Sequence, residues 1–157
     1  IIAGMSITAE RDEVIDFTQD YFPPSPSVYM GMSGADIDVD SAVIAAQTAT
    51  IQAGYVAESG ATLVEFATAE ETISAVQNGE ADAVLADGDY LSSIIAESNG
   101  EFANAGEVSI GGGVGMGIRE SDGELKAKMN AAISSMKDDG SLNALIKKWF
   151  GFDAPTF

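Results

Sequence analysis

Arg11 is the only cationic side chain in the first 118 residues, since residues 12–118 hold 18 Asp or Glu and no Lys, Arg or His. Those 18 acids account for the whole net charge of -18, because the other 7 acids offset the 7 bases. A guanidinium in such a field either pairs with a carboxylate such as Asp12 or Asp16, or is kept for an anionic ligand. Its planar fork of donors fits a carboxylate with two parallel hydrogen bonds. Ser6 and Thr8 lie on one side of an extended segment beside it, with hydroxyls as further donors. A second group of donors is expected at Thr50, where a helix start would present free N–H groups and partial positive charge. Asp87, at the end of an apolar run, is either a helix cap or an acceptor for an ammonium group. Together these residues describe a site for a zwitterion: Arg11, Ser6 and the Thr50 helix for a carboxylate, Asp87 for an ammonium.

The elements that must position them follow from the pattern. Val43–Gln47, Thr62–Phe66 and Ala83–Ala86 are short apolar runs with the length of buried strands. Helices follow each: one capped by Thr50 and running through Ala57, one opened by the Thr68–Glu71 capping box, and one carrying Leu91, Ile94 and Ile95 on a single face. This alternation predicts a parallel sheet covered by helices, with ligands beyond the carboxyl ends of its strands. Thr50 and Asp87 then fall on the same edge. Pro23–Ser27 reads as a stiff connector, and Gly111–Gly117 as a second, too glycine-rich for a strong strand. Beyond Arg119, Gly123–Asp139 predicts a helix with Leu125, Met129, Ala132, Ile133 and Met136 on one face. Ser141 is expected to cap a last helix through Trp149.

Composition narrows the chemistry. With 46 % hydrophobic and 20 % charged residues in 157, the chain has the balance of a globular protein. The acidic excess argues against nucleic acid and anionic membrane surfaces, which need clustered Lys and Arg. It suits surroundings of high ionic strength, where screening limits self-repulsion. The absence of Cys and His removes disulfides, thiolate nucleophiles, the usual zinc sites and Ser-His-Asp triads. Asp36, Asp38 and Asp40 alternate without the Gly and distal Glu of a calcium loop, so a solvated loop is expected and no metal or other cofactor. The Gly111–Gly117 run lacks the following Lys-Ser/Thr of a phosphate loop. Trp149, Phe150 and Phe152, at the end of an amphipathic helix, read as core anchors. No apolar run reaches the ~20 residues of a membrane span, and no segment of the sequence reads as a signal peptide.

Four segments carry a resemblance to a known family. Ser6–Arg11 with Val14–Thr18 and Tyr21, then Gln47–Gln52, then Asn78–Ala83 with Asp87, and finally Asp138–Ser141 with Lys148–Gly151, resemble, in that order, motifs of bacterial extracytoplasmic solute-binding proteins for polar amino acids, family 3 of the ABC importer components. The resemblance implies an α/β periplasmic-binding-protein type II fold, with two lobes joined by hinge strands and closing on an amino acid. Lobe 2 would span 23–118, with hinge connectors near 23–30 and 111–118, and lobe 1 would be residues 1–22 and 119–157. It implies that Arg11 takes the α-carboxylate, Asp87 the α-ammonium, and that Gly4 and Ser6 contribute backbone and hydroxyl groups. Thr50 and Ile51 would offer the anion-binding helix start, Ile51 through its backbone N–H only. Ala49 replaces the family's usual Gly, from which a negative φ is expected at this turn.

Family members carry a further βαβα segment, on the order of 60–70 residues, before the equivalent of Ile1. Lobe 1 is therefore expected to be incomplete, with an apolar face that a missing N-terminal segment or a homodimer partner covers. The implied function is periplasmic or extracytoplasmic delivery of a polar or basic amino acid to an ABC transporter permease, without catalysis. Two other readings compete. A periplasmic dehydratase-like enzyme on the same fold would need a buried carboxylate near the ligand, such as Glu65 or Asp89. A degenerate or sensory lobe would bind a protein and no small molecule, and Arg11→Lys would then leave ligand affinity unchanged.

Overall fold

A computed structural model of the chain describes residues 1–151 and 154–157. In chain order the elements are α1 (Ala9–Asp12), β1 (Asp16–Phe17), β2 (Ser27–Met32), β3 (Val43–Gln47), α2 (Ile51–Glu58), β4 (Thr62–Phe66) and α3 (Ala69–Gln77). There follow β5 (Ala83–Asp87), α4 (Gly88–Glu97), β6 (Phe102–Val108), β7 (Gly117–Ile118), α5 (Gly123–Asp138) and α6 (Ser141–Phe150). They divide into two compact units, one of Ile1–Ser25 with Gly111–Phe157 and the other of Pro26–Ile110.

The second unit is built on a five-stranded sheet in the order β4-β3-β5-β2-β6. β3 pairs parallel with β4 and β5, as the alternation of strands and helices predicts. The sheet is mixed rather than wholly parallel, because β2 pairs antiparallel with β5 and β6 antiparallel with β2. Successive side chains of a strand point to opposite faces, and each strand feeds two cores accordingly. Met30, Ala45 and Val84 pack on one face with Ala75 and Val76 of α3 and Leu91 of α4. Tyr29, Ile44 and Leu85 pack on the other with Val56 of α2. Helices thus cover both faces, and each fully buried large side chain, such as Ile44, Val56, Leu85 or Leu91, contributes about 1.5–3 kcal/mol.

Caps fix where these helices begin. The Thr68–Glu71 capping box forms in full: the Glu71 N–H donates to the Thr68 hydroxyl oxygen, and the Thr68 N–H to the Glu71 carboxylate. Thr50 caps α2 through its hydroxyl oxygen, which accepts from the Ala53 N–H. Ser141 does not cap α6. It is the first helical residue, following Gly140 in the left-handed conformation (φ 76°), and its N–H donates to the Asp139 carboxylate. Gly140 permits the sharp reversal from α5 into α6, which leaves no extended residue for Ser141 to occupy.

The first unit has a different character. Its strands β1 and β7 are two residues long and pair antiparallel. Residues 5–7 and 21–22 run against 112–115 through isolated bridges and backbone bonds, including Ile7 N–H to the Gly113 carbonyl at 2.9 Å. The segment 111–118, read from sequence as a connector of the other lobe, belongs here because of this pairing. Its glycines permit close approach: a Cβ on Gly113 would stand 2.5 Å from the Phe22 carbonyl oxygen and 2.7 Å from Asp20 Cβ. Polar ties add to a small core of Phe22, Ile133, Leu142 and Ile146. Lys126 meets Asp16 at 3.2 Å, Lys137 meets Asp20 at 2.8 Å, and the Gln19 side chain donates to the Asn130 carbonyl. Much of the apolar surface is uncovered: Ile1, Ile2, Val14 and Trp149 are all about 70 % exposed. Trp149 is therefore not the core anchor expected of it. Phe150 is 59 % exposed and touches Phe22, ring centroids 4.8 Å apart, and Phe152 lies outside the described residues.

Candidate functional site

The carboxyl edge of β3 and β5 gathers most of the chemistry of the second unit. The two strands are parallel neighbours in register, Ile44 beside Ala83 and Ala45 beside Val84, so Gln47 and Asp87 end on the same edge. From this edge a pocket of about 200 Å³ opens, lined by Gln47, Thr50, Gln52, Thr72, Asp87 and Tyr90 among others.

The turn from β3 into α2 is tightly closed. The Thr50 N–H and hydroxyl both donate to the Gln47 carbonyl, at 3.3 and 2.6 Å, while the Thr48 N–H donates to Phe66. Ala49 adopts φ +62°, opposite in sign to the expectation from sequence. The bond from Thr50 back to Gln47 closes a four-residue turn whose third residue, Ala49, is left-handed, at a cost for alanine of about 1–2 kcal/mol. Because the Thr50 hydroxyl is engaged both as donor and as cap, what this turn offers a ligand is backbone. The Ile51 and Gln52 amides occupy the first two helical positions, which have no acceptor within the helix. Partial positive charge gathers there and suits a carboxylate.

Asp87 stands at the cap position of α4, yet its side chain makes no cap hydrogen bond. Its Oδ1 instead accepts from Gln52 Nε2 at 2.7 Å, and the carboxylate is otherwise exposed. The same amide nitrogen donates to Ser27 Oγ at 3.0 Å. Ser27 is the register partner of Asp87 across β2 and β5. Gly88 brings the Pro26 carbonyl close, its N–H donating at 3.0 Å, and a Cβ there would lie 2.5 Å from that oxygen. Tyr90 stands beside this group with its phenol pKa pushed up, first by burial and then by Glu70. It stays neutral at physiological pH and can only hydrogen-bond.

In the first unit, Thr8 caps α1 by accepting the Arg11 N–H at 3.2 Å, so its hydroxyl oxygen serves here as an acceptor. The half-buried Arg11 guanidinium folds back so that Nη1 donates to the Ser6 carbonyl at 3.0 Å. Asp16, one of the carboxylates read from sequence as a partner for Arg11, is engaged by Lys126. Gly4 is exposed, with φ +65°, at the turn before this segment. Gly4, Ser6 and Arg11 are thus brought together in one unit, and Thr50, Ile51 and Asp87 in the other.

Gln52 and Ser27 escaped the sequence reading. Gln52 sits in the Gln47–Gln52 segment, but nothing local announces a bond to a residue 35 positions away. Glu65 is exposed and Asp89 only partly buried, so neither is the buried carboxylate an enzymatic reading requires. Asp36, Asp38 and Asp40 lie exposed in a loop, and among the described residues no cluster of acids has the arrangement to hold a metal ion. No helix among them is long and apolar enough to cross a membrane.

The chain belongs to the bacterial extracellular solute-binding proteins, family 3, whose family model matches residues 1–152. Its fold is the periplasmic-binding-protein type II fold. It is 68 % identical to a periplasmic His/Glu/Gln/Arg/opine family-binding protein from Silicibacter pomeroyi, solved in complex with lysine, with a TM-score of 0.93. That match covers 100 % of this chain and 72 % of the other. The L-arginine-binding protein of Pseudomonas aeruginosa is 28 % identical over 98 % of this chain and 65 % of its own length. The glutamine-binding protein of a Bacillus subtilis ABC transporter is 26 % identical over 98 % of this chain and 58 % of its own length. The chain therefore spans less than two thirds of the length of these two relatives. The family consists of solute-binding transport proteins rather than enzymes.

Proposed function

We propose that this chain is the ligand-binding part of a periplasmic or extracytoplasmic protein that takes up a polar or basic amino acid and hands it to an ABC transporter permease. The observation that carries the reading is the edge of β3 and β5, where an exposed carboxylate and the amino end of α2 share one pocket. An α-amino acid presents a carboxylate and an ammonium a few ångströms apart, and these groups complement both. Arg11, with Ser6 and Gly4 beside it, supplies a further carboxylate receptor in the first unit. Residues 26–110 carry 14 acids and no Lys or Arg, a field that attracts a cationic side chain. Lysine, the ligand of the 68 % identical Silicibacter protein, is the first candidate, with arginine next. In this reading the two units act as lobes that close on the amino acid through hinge strands near 23–30 and 111–118.

Calorimetric titration of the full-length protein with lysine and arginine tests it. Arg11→Lys, which keeps the charge and loses the fork, is expected to weaken binding at least tenfold, about 1.4 kcal/mol. An unchanged affinity would remove Arg11 from the site. The uncovered apolar surface around Ile1, Ile2 and Leu125 belongs, in the same reading, against further polypeptide, either another segment of the protein or a second copy. Native mass spectrometry separates these arrangements by mass, and a stable bare monomer of this chain alone would refute both.

A further inference from the structure

Asp87 is held by a side chain that has no role in the zwitterion chemistry described so far. An aspartate at the start of a ten-residue helix would ordinarily turn onto the first amides of that helix. Asp87 does not, and its side chain makes no cap hydrogen bond to α4. Gln52 draws the carboxylate aside with a 2.7 Å bond from Nε2 to Oδ1. The Gln52 side chain is itself buried, at 5 % exposure, and its amide orientation is fixed from both ends: one N–H meets Asp87, the other the hydroxyl oxygen of Ser27, which is 3 % exposed. A carboxylate has no hydrogen to give, so the nitrogen of the amide must face it. The pair is therefore oriented by chemistry as well as by packing.

The donor type matters as much as its position. A Lys or Arg at this place would hold Asp87 equally well, but would neutralise it and repel an arriving ammonium. An amide orients the carboxylate and leaves its charge intact. The second unit contains no Lys or Arg at all, so no cation within it competes for Asp87. Gln52 also belongs to the first turn of α2, whose Ile51 and Gln52 amides face the proposed ligand carboxylate. One helical turn then sets both the anion-receiving amides and the orientation of the ammonium-receiving carboxylate.

From this geometry we infer that Gln52, backed by Ser27, is a positioning residue for ligand recognition. It acts through Asp87 on the α-ammonium of the bound amino acid, and this rests on the amino-acid-binding reading above. The test uses the full-length protein with two probes: L-lysine and 6-aminohexanoate, which keeps the carboxylate and the terminal ammonium but lacks the α-ammonium. Gln52→Met, close in volume and without a donor, is expected to weaken lysine at least tenfold and to leave 6-aminohexanoate within twofold of the wild-type value. Lysine binding within twofold of wild type overturns the inference, as does an equal loss for both probes, which would report general damage to the pocket. Gln52→Asn keeps an amide but withdraws it by one methylene. It is the second variant should Gln52→Met fail to fold, with the same expected outcomes. Wild-type protein that binds neither lysine nor arginine would instead overturn the underlying reading, and this inference with it.

Discussion

The two units solve the problem of burial differently. Pro26–Ile110 is continuous in sequence, places helices on both faces of a five-stranded sheet, and buries Met30, Ile44, Val56, Leu85 and Leu91 almost completely. The other unit is assembled from both ends of the chain around two-residue strands, and leaves Ile1, Ile2, Val14 and Trp149 about 70 % exposed. Charge divides the same way, since Pro26–Ile110 carries -14 of the total -18. The second unit therefore holds its core within itself, whereas the first leaves much of its apolar surface uncovered.

The sharpest way to break this comparison is to separate the units. Residues 26–110 expressed alone are expected to unfold cooperatively in urea, and residues 1–25 joined to 111–157 by a short linker are not. A cooperative transition from the joined ends would overturn the contrast. Next in size, Leu85→Ala should cost about 2–5 kcal/mol, while Trp149→Ala should change stability by no more than about 0.5 kcal/mol. Equal losses in denaturant titrations would mean that Trp149 is packed in solution.

Gly88→Ala forces a Cβ against the Pro26 carbonyl oxygen and should cost about 1–3 kcal/mol, the usual range for overpacking. Lysine affinity should fall with it, because Asp87 is the adjacent residue. A smaller gain is expected from Ala49→Gly, which relieves the left-handed strain. The extra freedom of glycine in the unfolded chain offsets part of it, leaving at most about 1 kcal/mol. A loss on thermal melting would contradict the positive φ. The smallest effect concerns Asp139, whose carboxyl sits below its ordinary 3.8 through hydrogen bonds from the Ser141 side chain and backbone. Its contribution is present above that value and disappears as pH falls through the lower folded one. Asp139→Asn should therefore lower the neutral plateau slightly and flatten the acid limb of the stability profile.

Much of the second unit was legible because its signals are local. The Thr68–Glu71 box and the Thr50 cap lie within four residues of the positions they fix. β3, β4 and β5 are plain apolar runs. β2 and β6 were not legible. Gly31, Asn104 and Gly106 have low strand propensity, and both strands exist through pairing with partners far along the chain. Ala49 was misread because a residue other than glycine was taken to exclude a positive φ, which this turn adopts nonetheless. Ser141 was misread because a serine before a helix is a common cap, but Gly140 had already made the turn. Within the proposed site, Arg11, Thr50 and Asp87 were candidates by type and position, yet Gln52 was not. Its role lies in a hydrogen bond spanning α2 and β5, which no pattern in a linear sequence displays.

The register of β2 with β6 bears on the order of folding. Ser27 pairs with Val108, so the chain enters and leaves the second unit at neighbouring points. For the first unit, bringing Ser25 and Gly111 together as an unstructured loop of about 85 residues would cost ~4 kcal/mol of closure entropy. Once the five-stranded sheet has formed, that closure is already made, and the two ends are delivered side by side. Hydrogen exchange during refolding should therefore protect the amides of β3 and β5 before those pairing β1 with β7. The inserted unit is, in this sense, the template on which its host assembles.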